Sequence, residues 1–284
     1  VMAVKFEKVS FEYAPNSPFS YVALKDVSTS IPKGKMTAIV GATGSGKSTL
    51  VQHLNGLLQP TEGSVKVLDH VIQANEKPKG LKSLRQRVGF VFQFPEMQLF
   101  DDTIYKDVSF GPKNFGMDEA LINENVERAL TLVGIEPEIW ERSPLNLSGG
   151  QKRRVAIAGV LATDPEVIVL DEPTAGLDPQ GSKDMMALFQ RLNKEYNKTV
   201  VMVTHDMEHV LDYCDHVIVL DHGEIIYEGA VRSFFENRKL LDNLDIVKPL
   251  ILQLHDILSD KGFKVSIETD LKTLVQKLIE EVGT

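Results

Sequence analysis

Met36-Thr37-Ala38-Ile39-Val40-Gly41-Ala42-Thr43-Gly44-Ser45-Gly46-Lys47-Ser48 is the stretch on which the reading of the fold turns. Five residues suited to a short buried strand run into a glycine-rich turn, and a helical pattern from about Gly46 to Leu58 follows. The turn matches GxxxxGK[ST] in the strand–turn–helix context that a phosphate-binding loop requires. Glycines free the backbone N–H groups to wrap a phosphate, and the helix N-terminus adds its positive end. Lys47 then reaches the β/γ oxygens, and Ser48 offers a hydroxyl to Mg²⁺.

Working outward, Val4 and Phe6, then Val9, Phe11 and Tyr13, alternate in two registers, which predicts a strand with a bulge or bend. Leu24 to Ile31 and the turn Pro32-Lys33-Gly34 complete an antiparallel opening. Downstream, Val167 to Leu170, Val200 to Val203 and Val217 to Leu220 are runs rich in β-branched residues, as parallel strands covered on both faces should be. Helical patterns separate them, among them Ser182 to Tyr196, so an α/β fold with a parallel core sheet follows. From about 118 to 163 no such strand occurs, while Ile122, Val126, Ala129, Leu130 and Val133 keep helical spacing. This predicts a helical insert, taken as about 94–163. After about 234 two amphipathic stretches follow, one with Leu250, Leu254, Ile257 and Leu258, the other with Leu271, Leu274, Val275, Leu278 and Val282. The expected organisation is a phosphate-binding α/β domain over 1–234 and a small, mostly helical appendage over 235–284.

Composition narrows the function classes. The 284 residues are 43% apolar and 25% charged, enough for a substantial core. Lys plus Arg number 31 against 40 Asp plus Glu, and the net charge of −9 disfavours a polyanion as partner. No run approaches the roughly 18 to 20 apolar residues of a spanning helix, and no secretion-signal pattern opens the chain. A single cysteine, Cys214, fits a reducing cytosol and excludes a cysteine zinc cluster.

Two further motifs carry chemistry. Val167-Ile168-Val169-Leu170-Asp171-Glu172 ends a buried strand in adjacent carboxylates. Asp171 is suited to orient Mg²⁺ and its waters, whereas Glu172, one residue on, is free to polarise an attacking water as general base. Leu147-Ser148-Gly149-Gly150-Gln151 precedes the helical run Lys152 to Leu161, which makes Ser148 an N-cap and leaves glycine backbone donors bare. Two phosphate-type sites in one chain suggest a nucleotide sandwiched between two copies.

Together these residues resemble the nucleotide-binding subunit of an ABC transporter over about residues 3–234. The phosphate loop stands for its Walker A, Val167 to Glu172 for its Walker B and Leu147 to Gln151 for its signature motif. Gln93 matches the Q-loop glutamine, Ala175-Gly176-Leu177-Asp178 the D-loop, and His205 after Thr204 the switch histidine. The resemblance implies ATP and Mg²⁺ as cofactors. ATP contacts fall on Gly41, Thr43, Gly44, Ser45, Gly46, Lys47, Ser48 and Thr49, and across a dimer on Ser148, Gly149, Gly150 and Gln151. By the same resemblance Ser48, Gln93 and Asp171 serve the metal, Glu172 and His205 catalyse hydrolysis, and Asp178 couples the two sites. Tyr13 matches the A-loop aromatic that stacks on adenine; Phe11, Phe19 and Tyr21 are nearby alternatives.

Phe94-Pro95-Glu96-Met97-Gln98-Leu99-Phe100 and Phe110-Gly111-Pro112-Lys113-Asn114-Phe115-Gly116, with Lys152 to Gly159, are similar to the ATPase subunits of energy-coupling factor (ECF) vitamin importers, the second, A-prime, type. This implies a sister ATPase (or a homodimer), a transmembrane coupling protein, and a separate membrane substrate-binding subunit. The place is then the cytoplasmic face of the membrane, held peripherally, with no vitamin site in this chain. The Phe94–Phe115 aromatics suit either a groove for a partner's helix or burial within the insert. The C-terminal stripe suits either an interface between ATPases or an intrachain helix pair. Alternatives are a cobalt or nickel importer's ATPase and a soluble ATPase acting on nucleic acid; the latter is opposed by one cassette, no heptad run and the acidic balance. Intact Lys47, Asp171, Glu172 and His205 oppose a non-hydrolysing regulatory subunit.

Overall fold

The computed structural model describes residues 1–244, 246–263, 266, 268 and 270–282. β1 (Met2–Tyr13) and β2 (Tyr21–Pro32) open an antiparallel sheet that β4 (Glu62–Val67) and β5 (His70–Gln73) extend in the order β2-β1-β4-β5. The change of register read in the sequence is a shift in the β1–β2 pairing between Phe6 and Val9, where Lys8 takes φ 51°. It returns Val9 to the same core as Phe6.

The second sheet holds β3 (Met36–Val40), β6 (Val88–Val91), β7 (Val167–Asp171), β8 (Thr199–Val203), β9 (His216–Asp221) and β10 (Glu224–Ala230) in the order β10-β9-β3-β8-β7-β6. All neighbours pair parallel except β10, an antiparallel edge. The β-branched runs are covered on both faces. Along β7, Val167 and Val169 face the antiparallel sheet, while Ile168 and Leu170 face the helices.

The helices are α1 (Lys47–Gln52), α2 (Leu81–Arg87), α3 (Ile104–Phe115), α4 (Glu119–Leu132), α5 (Gly149–Leu161), α6 (Pro179–Lys194), α7 (Met207–Tyr213), α8 (Val231–Glu236), α9 (Arg238–Asp242), α10 (Leu250–Asp260) and α11 (Leu271–Val282). α3, α4 and α5 form the helical insert. α1 is shorter than the pattern from Gly46 to Leu58 predicted. The His53 ring takes the Thr49 carbonyl at 2.7 Å from Nδ1, the His53 N–H turns to Leu50 O, and Leu57 and Leu58 N–H close back on Gln52 O. α6 begins before Ser182 because Asp178 caps it, accepting from Gly181 N at 2.9 Å.

The expected boundary at 234 falls inside α8. Phe234 and Phe235, with Leu241 and Leu252, cover Ala38, Val40, Val217 and Val219, so this stretch completes the third part of the core. α10 and α11 follow, with Leu250, Ile257, Leu271, Val275 and Ile279 exposed and Leu274 buried. The side chain of Val282 lies outside the described residues. Among the described residues no helix is long and apolar enough to cross a membrane.

Candidate functional site at the carboxyl edge of the parallel sheet

β3 delivers the chain into the glycine loop. Gly41 has φ +148°, and a Cβ there would fall 2.1 Å from Leu220 O. Gly46 has φ +104°, with its Cβ position 2.5 Å from Ala23 O, so neither place admits a side chain. Lys47 Nζ donates to Gly41 O at 2.9 Å and Ala42 O at 2.8 Å, which folds the ammonium over the loop. Burial pulls its pKa down, against the opposing pull of Glu172 and Asp171. The cleft here is lined by Tyr21, Ala23, Gly44, Gly46, Lys47, Ser48 and Thr49.

Neighbouring strands end at the same edge, where open parallel sheets bind ligands. Asp171 ends β7 opposite Val203 of β8 and lies beside the Ser48 side chain. Burial raises its pKa; the Ser48 hydroxyl and Lys47 oppose that, and Glu172 reinforces it. These oxygens form a donor set that fits Mg²⁺, which takes one or two protein oxygens beside water and phosphate. Glu172 sits at φ +50° and donates its own N–H to Val203 O at 3.0 Å, so its carboxylate leaves the strand direction. There it accepts from His205 Nδ1 at 3.0 Å. Glu172 is 17% exposed and His205 79%, so a half-buried carboxylate holds a largely exposed imidazole through Nδ1. Gln93 lies two residues past β6, exposed, one strand over from Asp171.

Tyr13 closes β1 opposite Tyr21 of β2. Its hydroxyl meets Thr49 Oγ1 at 3.1 Å, and its ring stands edge-on to Phe11 at 4.8 Å. Of the alternatives, Phe11 is buried and Phe19 points to solvent, while Tyr21 donates to Gly44 O at 3.0 Å. Two tyrosines thus flank the loop. Tyr21 figured in the sequence only as one of several nearby rings, since the strand pairing that brings it to Gly44 is not a local signal.

Ser148 caps α5 in a reciprocal box: Gln151 N donates to Ser148 Oγ at 3.3 Å, and Ser148 N to Gln151 Oε1 at 3.1 Å. A Cβ added at Gly149 or Gly150 would meet nothing within 4 Å, so this backbone is open to an approaching group. None of Ser148 to Gln151 lines the Lys47 cleft. The structure therefore gathers Lys47, Ser48, Asp171, Glu172 and His205 at one edge and leaves the Ser148 turn on the helical insert. Asp178 lies between, engaged as a helix cap beside a depression lined by Thr174, Gly176, Ser182, His205 and His209.

Fold and edge together define a P-loop nucleotide cassette. The family model described as ABC transporter matches residues 24–175. The chain is 50% identical over 262 residues to the energy-coupling factor transporter ATP-binding protein EcfA2 of Enterococcus faecalis, covering 92% of this chain and 91% of that one. It is 48% identical over 281 residues to the protein of the same name from Spiroplasma kunkelii, covering 98% and 92%. Among solved structures, cbiO1 of Clostridium perfringens, part of the ABC transporter complex cbiONQ, aligns with TM-score 0.74 and 38% identity over 90% of this chain and 99% of that one. The dimeric cassette MJ0796 in a post-hydrolysis state with ADP and Pi aligns with TM-score 0.70 and 33% identity, covering 80% and 98%. The chain belongs to the ABC transporter ATPases, among the energy-coupling factor ATP-binding proteins.

Proposed function

We propose that this chain is the A-prime-type ATPase of an ECF importer of vitamins or similar micronutrients, working at the cytoplasmic face of the membrane. The observation that carries the reading is the convergence of Lys47, the Ser48–Asp171 pair and the Glu172–His205 pair at one strand edge. Lys47 exchanges its contacts with Gly41 O and Ala42 O for the β/γ-phosphate oxygens. Ser48 and Asp171, with Gln93 nearby, would hold Mg²⁺, which would neutralise phosphate charge there. Glu172 takes a proton from the attacking water, and His205, fixed through Nδ1, turns Nε2 to the γ-phosphate. Tyr13 or Tyr21 offers a ring to adenine.

The open Ser148-Gly149-Gly150 backbone completes the site of another chain, a sister ATPase or a second copy, and Asp178 joins the two sites. Exposed Phe94, Met97, Phe100 and Phe110 support docking of an amphipathic helix from the transmembrane coupling protein. Phe100 and Phe110 meet edge-on at 4.9 Å on that surface. The membrane substrate-binding subunit is reached only through the complex. The test is vitamin uptake by vesicles holding all four components. Lys47→Ala is expected to lower nucleotide affinity about 10- to 100-fold and abolish ATP-dependent uptake while the fold persists. Unchanged ATP titration with unchanged uptake would sink the reading.

A further inference from the structure

Arg153, in the second turn of α5, is only 3% exposed. Its Nη1 donates to Ala175 O at 2.7 Å. Nε and Nη2 are buried without a hydrogen-bond partner among the described residues, and so is Glu96 Oε2, on the carboxylate whose charge favours the guanidinium. A buried guanidinium satisfied at one of its three nitrogens is a poor stabilising device, since a well-packed apolar side chain serves a core at least as well. What Arg153 does instead is join segments. α5 begins at the open Ser148-Gly149-Gly150 turn, Ala175 begins the loop that ends at Asp178, and Glu96 lies in the 3-10 turn Pro95–Gln98, which packs on α5 just beyond Gln93. Gly176 approaches the same turn, since a Cβ there would stand 3.5 Å from Phe94 Cε1.

We infer that Arg153 is a positioning residue that ties the Ala175–Asp178 loop to the start of α5, so that both close on the opposing chain's ATP as one piece. The inference rests on the two-chain site proposed above. It places a specific energetic load on a side chain that touches no nucleotide. When α5 moves, Ala175 O follows through Nη1, and Glu96 supplies the countercharge from the segment that meets the membrane partner.

The test compares Arg153→Met and Arg153→Gln chains, alone and in the assembled transporter. Expected is a lowered thermal midpoint, since either change strands the Glu96 charge and Ala175 O, with isolated-chain ATP affinity of the folded protein close to wild type and kcat of the assembly reduced about tenfold or more at little-changed KM, because displacement of a positioning contact costs turnover rather than binding. If neither variant folds, Arg153→Lys is read in the same assays, and a kcat loss at unchanged affinity again supports the inference. Turnover within about twofold of wild type, or isolated-chain affinity falling in parallel with kcat, overturns it. A Glu172→Gln assembly run alongside separates the two ideas. Normal hydrolysis there removes the proposed site itself, whatever Arg153 does.

Discussion

Glu172 holds a left-handed backbone at φ +50°, a conformation that costs about 1 kcal/mol for a residue with a side chain. That turn separates two adjacent carboxylates into two tasks: Asp171 stays beside Ser48, and Glu172 meets His205. Glu172→Gln keeps shape and the acceptor for His205 but removes the proposed base. ATP binding is expected to persist while hydrolysis slows by about 10² to 10⁴ and ATP traps a closed dimer on gel filtration. Near-normal turnover would remove Glu172 from that role. At this scale much was legible, since Lys47, Ser48, Asp171 and Glu172 stand in motifs whose spacing has a physical purpose. Arg153 was hidden in plain view. Lys152-Arg153-Arg154 reads as a charge run on a solvated face, and nothing local says that the middle residue is buried.

At the scale of elements, the β-branched runs announced β3, β7, β8 and β9, while β4, β5, β6 and β10 went unseen. β6 is only Val88-Gly89-Phe90-Val91 directly after α2, and β10 alternates exposed and half-buried positions as an edge strand does. Their pairing partners, not their own patterns, make them strands. α1 was read too long for a similar reason: His53 looks like one more helical residue, yet its ring replaces the next turn's backbone bond. The same burial pushes the His53 pKa down from 6.5 to about 4. Because the folded pKa lies below the unfolded one, falling pH protonates the unfolded chain first. Stability is thus fully present above about pH 6.5 and declines toward pH 4, with about 2 kcal/mol lost between pH 8 and 5. Urea midpoints at those two pH values should differ less in His53→Leu than in wild type. An equal pH dependence in the two proteins would contradict this.

At the scale of the whole molecule, the two halves of the proposed two-chain site do not meet within one chain. The Lys47 edge belongs to the parallel sheet, the Ser148 turn to the helical insert, and the exposed apolar faces of α10 and α11 offer further surface for association. The central claim is that ATP is closed between two chains. Gly149→Asp tests it most directly, because it sets a carboxylate in the open space beside the Ser148 cap, against the charge of an approaching triphosphate. The decisive measurement is nucleotide affinity of the isolated Gly149→Asp chain set against ATPase and transport of the assembly containing it. The account expects isolated affinity within about twofold of wild type and assembly turnover lowered by about tenfold or more. If isolated affinity collapsed in step with turnover, Gly149 would belong to the chain's own nucleotide pocket, and the two-chain site would be wrong.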